Sequence, residues 1–268
     1  MQIEGNNDLE NIRPLKRLGQ NFLISEHIAK LEAQHAAGKN AVELGAGLGV
    51  LTRELCKVCN HVTAVEKDRR LFELLKKRLN HKNLTLINAD FFDLPKNTFA
   101  NCNVMVSNTP YNLSSKLIAW LESHSMEAVL CLQKEFVERM LAMPGTREYS
   151  KLSVMSRLGF KVFKLMNVSK SNFYPKPKVD STIIYIKPIP KQISIREASI
   201  INLLMVHKRK LLHNAVVDSC KSLQLSKDEA RNIAKSLPES NKRVFQLEPS
   251  KLVATAKSIE NSLREIRD

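Results

Sequence analysis

The chain has 268 residues and a formal charge of +15, from 42 lysines and arginines against 27 aspartates and glutamates. That length supports one sizeable core with a smaller appendage, and the lack of an apolar run long enough to span a bilayer excludes a helical membrane protein. So basic a surface suits a polyphosphate partner, and five scattered cysteines read as reduced core thiols rather than disulfide staples.

The first ten residues, MQIEGNNDLE, carry acids where a targeting peptide would carry arginine or lysine, so a cytoplasmic protein is expected. LGQNFL (18–23) follows as a polar pair before an apolar run. From about residue 40 the sequence alternates short β-rich runs with amphipathic stretches. The predicted strands are NAVELGAG, HVTAVEKD, NLTLINAD, NVMVSN and EAVLCLQ. Between them lie helical patterns such as DRRLFELLKKRLN, with Leu71, Leu74, Leu75 and Leu79 at 3.6-residue spacing. This order predicts a parallel, doubly wound α/β sheet. Cys56 and Cys59 form C-x-x-C, but their segment is helical in pattern and no second pair stands at zinc-site spacing, which predicts burial and no metal.

After residue 160, KVFKLMNV and DSTIIYIKP are two further strands with no helix between them, an expected antiparallel pair at the sheet edge. KPIPKQ (187–192) reads as a linker. Beyond it ASIINLLMVHKRKLLHNAVVDSC, SKDEARNIAKSL and PSKLVATAKSIENSL are helical in pattern, with Ser226 and Ser250 as expected N-caps. The domains are therefore expected at 1–186 and 187–268, the second with about twice the charge density of the first.

Four consecutive strands end on residues with ligand chemistry. The first runs into Gly45-Ala46-Gly47-Leu48-Gly49 ahead of a helix, a turn whose backbone can approach a ligand closely. Its third glycine comes one residue too early for the dinucleotide fingerprint, which argues against NAD or FAD. Glu66 ends the second strand, where a carboxylate can accept from both hydroxyls of a ribose. Asp90 ends the third and Asn108 the fourth. Together they imply an adenosine compound without a pyrophosphate.

The series LGQNFL, ELGAGLG (43–49), AVEKD (64–68), NAD (88–90), NTPY (108–111) and FYPKPKVDS (173–181) resembles the ribosomal RNA adenine N6,N6-dimethyltransferases. That family comprises the KsgA/RsmA and Dim enzymes, with the Erm resistance methyltransferases as relatives. HKRKLLHN (207–214) is similar to the family's basic helix. The resemblance implies a class I S-adenosylmethionine-dependent methyltransferase fold: a Rossmann-like, seven-stranded, mostly parallel sheet with a small C-terminal helical domain that binds RNA.

By the same resemblance Gln20, Asn21 and Leu23 border the methionine end of S-adenosylmethionine, and Gly45 and Gly47 pack on it. Glu66 holds its ribose and Asp90 its adenine amine. Asn108 sits where cofactor and target meet. Its side-chain oxygen and the Thr109 carbonyl would accept hydrogen bonds from an adenine N6 amine, drawing the nitrogen lone pair toward the methyl for in-line transfer. Pro110 would fix that backbone, and Tyr111 and Phe173 would offer ring faces to the flipped base. The family most often has an aliphatic residue where Thr109 stands.

The implied activity is dimethylation of two adjacent adenines near the 3′ end of small-subunit rRNA, by a monomer acting on a pre-ribosomal particle without a metal or membrane. Alternatives are an Erm-type enzyme of large-subunit rRNA, a non-catalytic assembly or transcription factor of this fold, and an adenine DNA methyltransferase.

Overall fold

The computed structural model describes residues 13–190 and 193–266. The acidic N-terminal segment, and Lys191 and Gln192 of the expected linker, lie outside the described residues. Packing divides the chain into two compact units, Met1–Lys134 with Phe163–Pro188, and Glu135–Val162 with Ile189–Asp268. The longer segment of the second unit begins at Ile189, against an expected boundary at 186/187. It also takes in 135–162, a segment that the sequence reading assigns to the first domain.

The strands are β1 (Phe22–Leu23), β2 (Asn40–Leu44), β3 (His61–Glu66), β4 (Leu84–Asn88), β5 (Val104–Ser107), β6 (Glu127–Gln133), β7 (Phe160–Val168), β8 (Phe173–Tyr174) and β9 (Ser181–Pro188). Seven form one sheet in the order β4-β3-β2-β5-β6-β9-β7. From β4 to β6 all pairings are parallel, while β9 runs antiparallel to β6. The expected late pair thus stands together at one edge, and β9 extends to Pro188, into the segment expected as linker. The central strands are buried except at their outermost residues, which explains their largely apolar interiors.

Strand order reverses between β2 and β5, so successive strands leave β2 in opposite directions and open a crevice at their C-terminal ends. The helices of this unit are α1 (Glu26–Gln34), α2 (Val50–Val58), α3 (Arg69–Arg78) and α4 (Ser114–His124). Ser25 caps α1 by accepting from the Ile28 N–H, and Asp68 caps α3 by accepting from the Arg70 N–H. Gly49 precedes α2 with φ of +80°, and a Cβ there would stand 2.7 Å from Leu75 Cδ2. Only glycine gives both that conformation and room for α3. As expected, Cys56 and Cys59 are buried; the Cys59 thiol donates to the Ala36 carbonyl at 3.3 Å. Burial pushes their pKa values up to about 12 and about 11.

A short two-stranded ribbon joins the ends of the first unit's sequence, with Phe22 opposite Tyr174 and Leu23 opposite Phe173 in antiparallel register. It brings the LGQNFL segment and the FYPKPKVDS segment side by side.

The second unit holds α5 (Lys134–Leu141, from its second residue), α6 (Lys151–Gly159), α7 (Ile195–Val206), α8 (Leu212–Asp218), α9 (Cys220–Leu223), α10 (Lys227–Ser236) and α11 (Pro249–Glu265). Its core gathers Tyr149, Ile201, Leu204, Val216, Leu252 and Ile259, with the Tyr149 hydroxyl donating to the Leu247 carbonyl at 3.0 Å. Ser226 caps α10 as expected, in a reciprocal arrangement with Glu229. Ser250 does not cap α11. Pro249 takes the first helical position, where its missing N–H leaves nothing unsatisfied, and the helix starts two residues earlier than a Ser250 cap implies. HKRKLLHN is also not one helix: α7 ends at Val206 and α8 starts at Leu212. In the connection Lys208 donates to the Arg147 and Tyr149 carbonyls, fastening the turn.

Candidate active site

The C-terminal ends of β2, β3, β4 and β5 open on a single cavity. Its walls include Gln20, Asn21, Gly45, Gly47, Glu66, Asp90, Asn108, Pro110, Tyr111 and Phe173, so eleven of the twelve distinct candidate positions named here and above, counting Thr109, share it. Leu23 is the exception. It is buried, and lines a smaller recess with Glu43, Leu48 and Leu51, while its neighbour Phe22 faces the main cavity.

The glycine turn and Glu66 form one assembly. Glu66 Oε2 accepts from the Gly47 N–H at 2.8 Å, and Oε1 accepts from the Asp68 N–H at 2.8 Å. Burial raises the Glu66 pKa and these backbone donors oppose the rise. Each carboxylate oxygen keeps a second lone pair, enough for two further donors. Gly45 has φ of +77°, and a Cβ built there would meet nothing within 4 Å, so its bare backbone borders open space.

Asp90 is more exposed. Its Oδ1 accepts from the Phe92 N–H at 3.0 Å, which fixes the turn after β4, and its Oδ2 pairs with Lys67 Nζ at 2.6 Å. Burial resists ionisation of Asp90, but the Lys67 ammonium and the Phe92 N–H prevail and lower its pKa. Gln20 is a brace: Oε1 accepts from the Leu15 N–H at 2.7 Å, and Nε2 donates to Asp68 Oδ2 at 3.1 Å. Asp68 is gripped in turn by Arg70, whose guanidinium holds its carboxyl down at about 2. The Asn21 amide donates to the Gly19 carbonyl at 3.2 Å.

Asn108 leaves β5 beside these groups. Its Nδ2 donates to Glu32 Oε2 at 3.0 Å, whereas its Oδ1 is buried with no hydrogen-bond partner. Thr109 is buried, and its hydroxyl donates to Ser107 Oγ at 3.0 Å, which donates to the Leu44 carbonyl at 2.8 Å. That relay ties the end of β5 to the end of β2 and satisfies the hydroxyl that the aliphatic family residue would lack. Pro110 enters a single turn of 3-10 helix, Tyr111–Leu113. The Tyr111 hydroxyl lies 2.9 Å from Ser181 Oγ, which anchors the ring to the first residue of β9. Phe173 is held in the β1–β8 ribbon.

Three neighbours of the site were not among the sequence candidates. Glu32 on α1 is fully buried, and burial pushes its carboxyl up to about 8, opposed by the Asn108 hydrogen bond. Glu43 on β2 is also buried and pushed up to about 8. Ser181 is the third. Among the described residues no group of three or more His, Cys, Asp or Glu converges to hold a metal ion, and no helix is long and apolar enough to cross a membrane.

The donor set suits a cofactor with a ribose, an amine and a compact polar end. Glu66 has lone pairs to spare, Asp90 is an ionised acceptor, Gly45 leaves room for close approach, and Asn108 keeps an unpaired acceptor. Several of these groups accept hydrogen bonds, which is the requirement of an adenosine with a free amine rather than of a phosphate.

A family model described as ribosomal RNA adenine dimethylase matches residues 12–247. A protein of Thermococcus sibiricus named probable ribosomal RNA small subunit methyltransferase A is 41% identical over 263 residues, covering 95% of this chain and 93% of that protein. A protein of Pyrococcus furiosus with the same name is 37% identical over 263 residues, again covering 95% and 93%. The crystal structure of a dimethyladenosine transferase from Plasmodium falciparum matches with a TM-score of 0.77 at 27% identity, over 90% of this chain and 98% of that one. The 23S rRNA methyltransferase ErmE matches with a TM-score of 0.62 at 21% identity, over 90% and 100%, a likeness of fold.

Proposed function

The chain belongs to the ribosomal RNA adenine dimethylase family, and on that premise we propose that it transfers methyl groups to N6 of two adjacent adenines near the 3′ end of small-subunit rRNA. The single observation that carries the reading is Asn108: a buried carboxamide at the end of β5, anchored through its nitrogen, with an unpaired oxygen. An adenine amine presents the N–H groups such an oxygen lacks. Accepting one of them pulls the nitrogen toward tetrahedral geometry and frees its lone pair for attack.

S-adenosylmethionine supplies an electrophilic methyl group on a sulfonium. The protein's part is to position both partners. In this reading Glu66 accepts from the ribose hydroxyls with its remaining lone pairs, Asp90 accepts from the adenine amine, and Gly45 and Gly47 admit the cofactor against the backbone. Gln20 and Asn21 border its methionine end. The Thr109 carbonyl is the second acceptor for the target amine, with Pro110 restricting the backbone beside it. Tyr111 and Phe173 offer rings to the extruded base; stacking of this kind contributes about 1–3 kcal/mol per base. Attack makes the amine a strongly acidic ammonium, so the proton departs without a dedicated base. A second round requires only that the pocket admit the monomethylated nitrogen.

The basic surface supports a phosphate-rich partner held mainly through backbone and shape. The small-subunit target follows the names of the Thermococcus sibiricus and Pyrococcus furiosus relatives. We place the enzyme in the cytoplasm as a metal-independent monomer acting on a pre-ribosomal particle. The test is to incubate it with labelled cofactor and immature small subunits, large subunits or DNA, then digest and separate the nucleosides. Dimethyladenosine is expected from small-subunit RNA. Label confined to large-subunit RNA or DNA refutes the reading.

A further inference from the structure

Asn108 can present either end of its carboxamide to a ligand, and the two ends ask for opposite partners. The oxygen accepts from an amine; the nitrogen donates to a carbonyl. What decides between them lies behind the amide, on α1. Glu32 Oε2 stands 3.0 Å from Asn108 Nδ2, and once ionised the carboxylate can only accept, so above its raised pKa the amide must turn its NH2 group toward Glu32. The oxygen is then left over as the free acceptor of a residue on the cavity wall.

Among the described residues the Glu32 side chain makes no other hydrogen bond: its second oxygen, Oε1, is buried without a partner, and the residue is 0% exposed. Such a carboxylate weakens the fold, since burial disfavours its charge and nothing else compensates it. An apolar side chain at this position on the buried stripe of α1, beside Ile28, Ala29 and Ala33, would pack at no electrostatic cost. A residue that harms stability and touches the candidate catalytic amide has its use at that amide.

We propose that Glu32 is a positioning residue that locks the Asn108 carboxamide with its oxygen as the free acceptor, and so sets the site's preference for a hydrogen-bond-donating amine over a carbonyl. The inference rests on the dimethyltransferase reading for its substrate, though not for the lock itself. Adenine carries an amine at position 6, where guanine and hypoxanthine carry a carbonyl; a flipped Asn108 would present the wrong group to adenine.

Two variants separate the lock from general structure. In Glu32→Leu the amide nitrogen faces an apolar wall, so the amide turns it toward the polar cavity. Leaving a buried donor unpaired is unfavourable enough to drive that flip by a factor of about 10 to 100. In Glu32→Gln the facing amide can either accept or donate, and the lock becomes two-way. At pH 9, where most of the wild-type carboxyl is ionised, kcat for methyl transfer to small-subunit RNA should fall about two- to threefold in Glu32→Gln and about 10- to 100-fold in Glu32→Leu. The dissociation constant for S-adenosylmethionine should stay within about twofold in both. A merely structural role would instead lower cofactor affinity and melting temperature together.

The lock is also read without catalysis. In protein labelled with 15N-asparagine, the Asn108 side-chain NH2 pair, assigned by its loss in Asn108→Ala, should be shifted downfield and protected from exchange. Both features should disappear in Glu32→Leu. A Glu32→Leu enzyme with kcat within threefold of wild type, or an unchanged Asn108 NH2 pair in that variant, overturns the proposal. If the wild-type protein methylates no small-subunit RNA while its Asn108 resonances still depend on Glu32, the functional reading fails and the lock stands.

Discussion

Replacing Glu32 by glutamine should stabilise the protein, increasingly so as pH rises. Burial takes the carboxyl from an ordinary value near 4.5 up to about 8. A group whose pKa is raised by folding favours the folded state fully below its unfolded pKa, and that contribution is lost as pH climbs through the folded value. At about 1.4 kcal/mol per pH unit, the two and a half units between 4.5 and neutrality make Glu32 unfavourable by about 3 kcal/mol at pH 7. Glutamine keeps the shape and does not titrate. Urea unfolding of wild type and Glu32→Gln at pH 5, 6, 7 and 8 should show a stability gap that is small at pH 5, about 3 kcal/mol at pH 7, and larger still at pH 8. The unfolding slope should not change, because no surface is added. Glu43 is pushed up to about 8 as well and repels Glu32, so the same comparison in a Glu43→Gln background separates the two acids. A gap that stays flat from pH 5 to 8 would mean Glu32 is not held as a costly buried acid, and the reason for assigning it a functional use would go with it.

Gly49→Ala should destabilise the first unit by about 2–3 kcal/mol, through left-handed strain and a Cβ 2.7 Å from Leu75, whereas Gly38→Ala, at φ +70° with open space around it, should lose only about 1 kcal/mol; comparison of their melting temperatures checks the difference. Tyr111→Phe keeps the ring but loses the 2.9 Å contact with Ser181, so transfer should slow by less than tenfold, and Tyr111→Ala by roughly 100-fold, in a single-turnover assay. Arg70 depresses the Asp68 carboxyl to about 2, so their pairing stabilises the protein above pH 4 and that support is lost as pH falls from about 4 to about 2. Asp68→Asn should lose about 1–2 kcal/mol at pH 6 and converge with wild type in acid, as measured by urea unfolding.

The parallel sheet was legible because its strands are short, mostly apolar runs separated by amphipathic helices, a pattern with few other solutions. Helices α5 and α6 were not read, since KEFVERML and KLSVMSRLG are each barely two turns long and neither is bounded by glycine or proline at both ends. Their packing with the C-terminal helices has no signal in local sequence at all, because it depends on which apolar faces remain uncovered after the sheet is built. The same holds for the start of α11. Serine is a good cap, but a proline just before it is a better first residue, and the competition is settled one position upstream.

At the site, legibility follows strand ends. Gly45, Glu66, Asp90 and Asn108 could be found because each closes a predicted strand, and parallel strands in sequence deliver their C-termini to one edge. The residues that orient them come from elsewhere: Glu32 is 76 positions before Asn108, and Ser181 is 70 positions after Tyr111. Yet Glu32 did leave a trace. It occupies the buried stripe of α1, in step with Ile28, Ala29 and Ala33, and an acid on an apolar stripe is a local contradiction of the helical pattern. Glu43 is the same contradiction within a strand, a carboxylate in the middle of NAVEL with every residue after Asn40 buried. Thr109 completes the contrast. It departs from the aliphatic family residue at a buried position, and the structure removes the penalty by relaying its hydroxyl through Ser107 to the Leu44 carbonyl. A polar residue that finds partners inside the fold is absorbed by it, whereas one left half-paired next to a cavity points to a ligand. By that criterion Asn108 and Glu32 form one unit, and Thr109 is part of the frame that holds them.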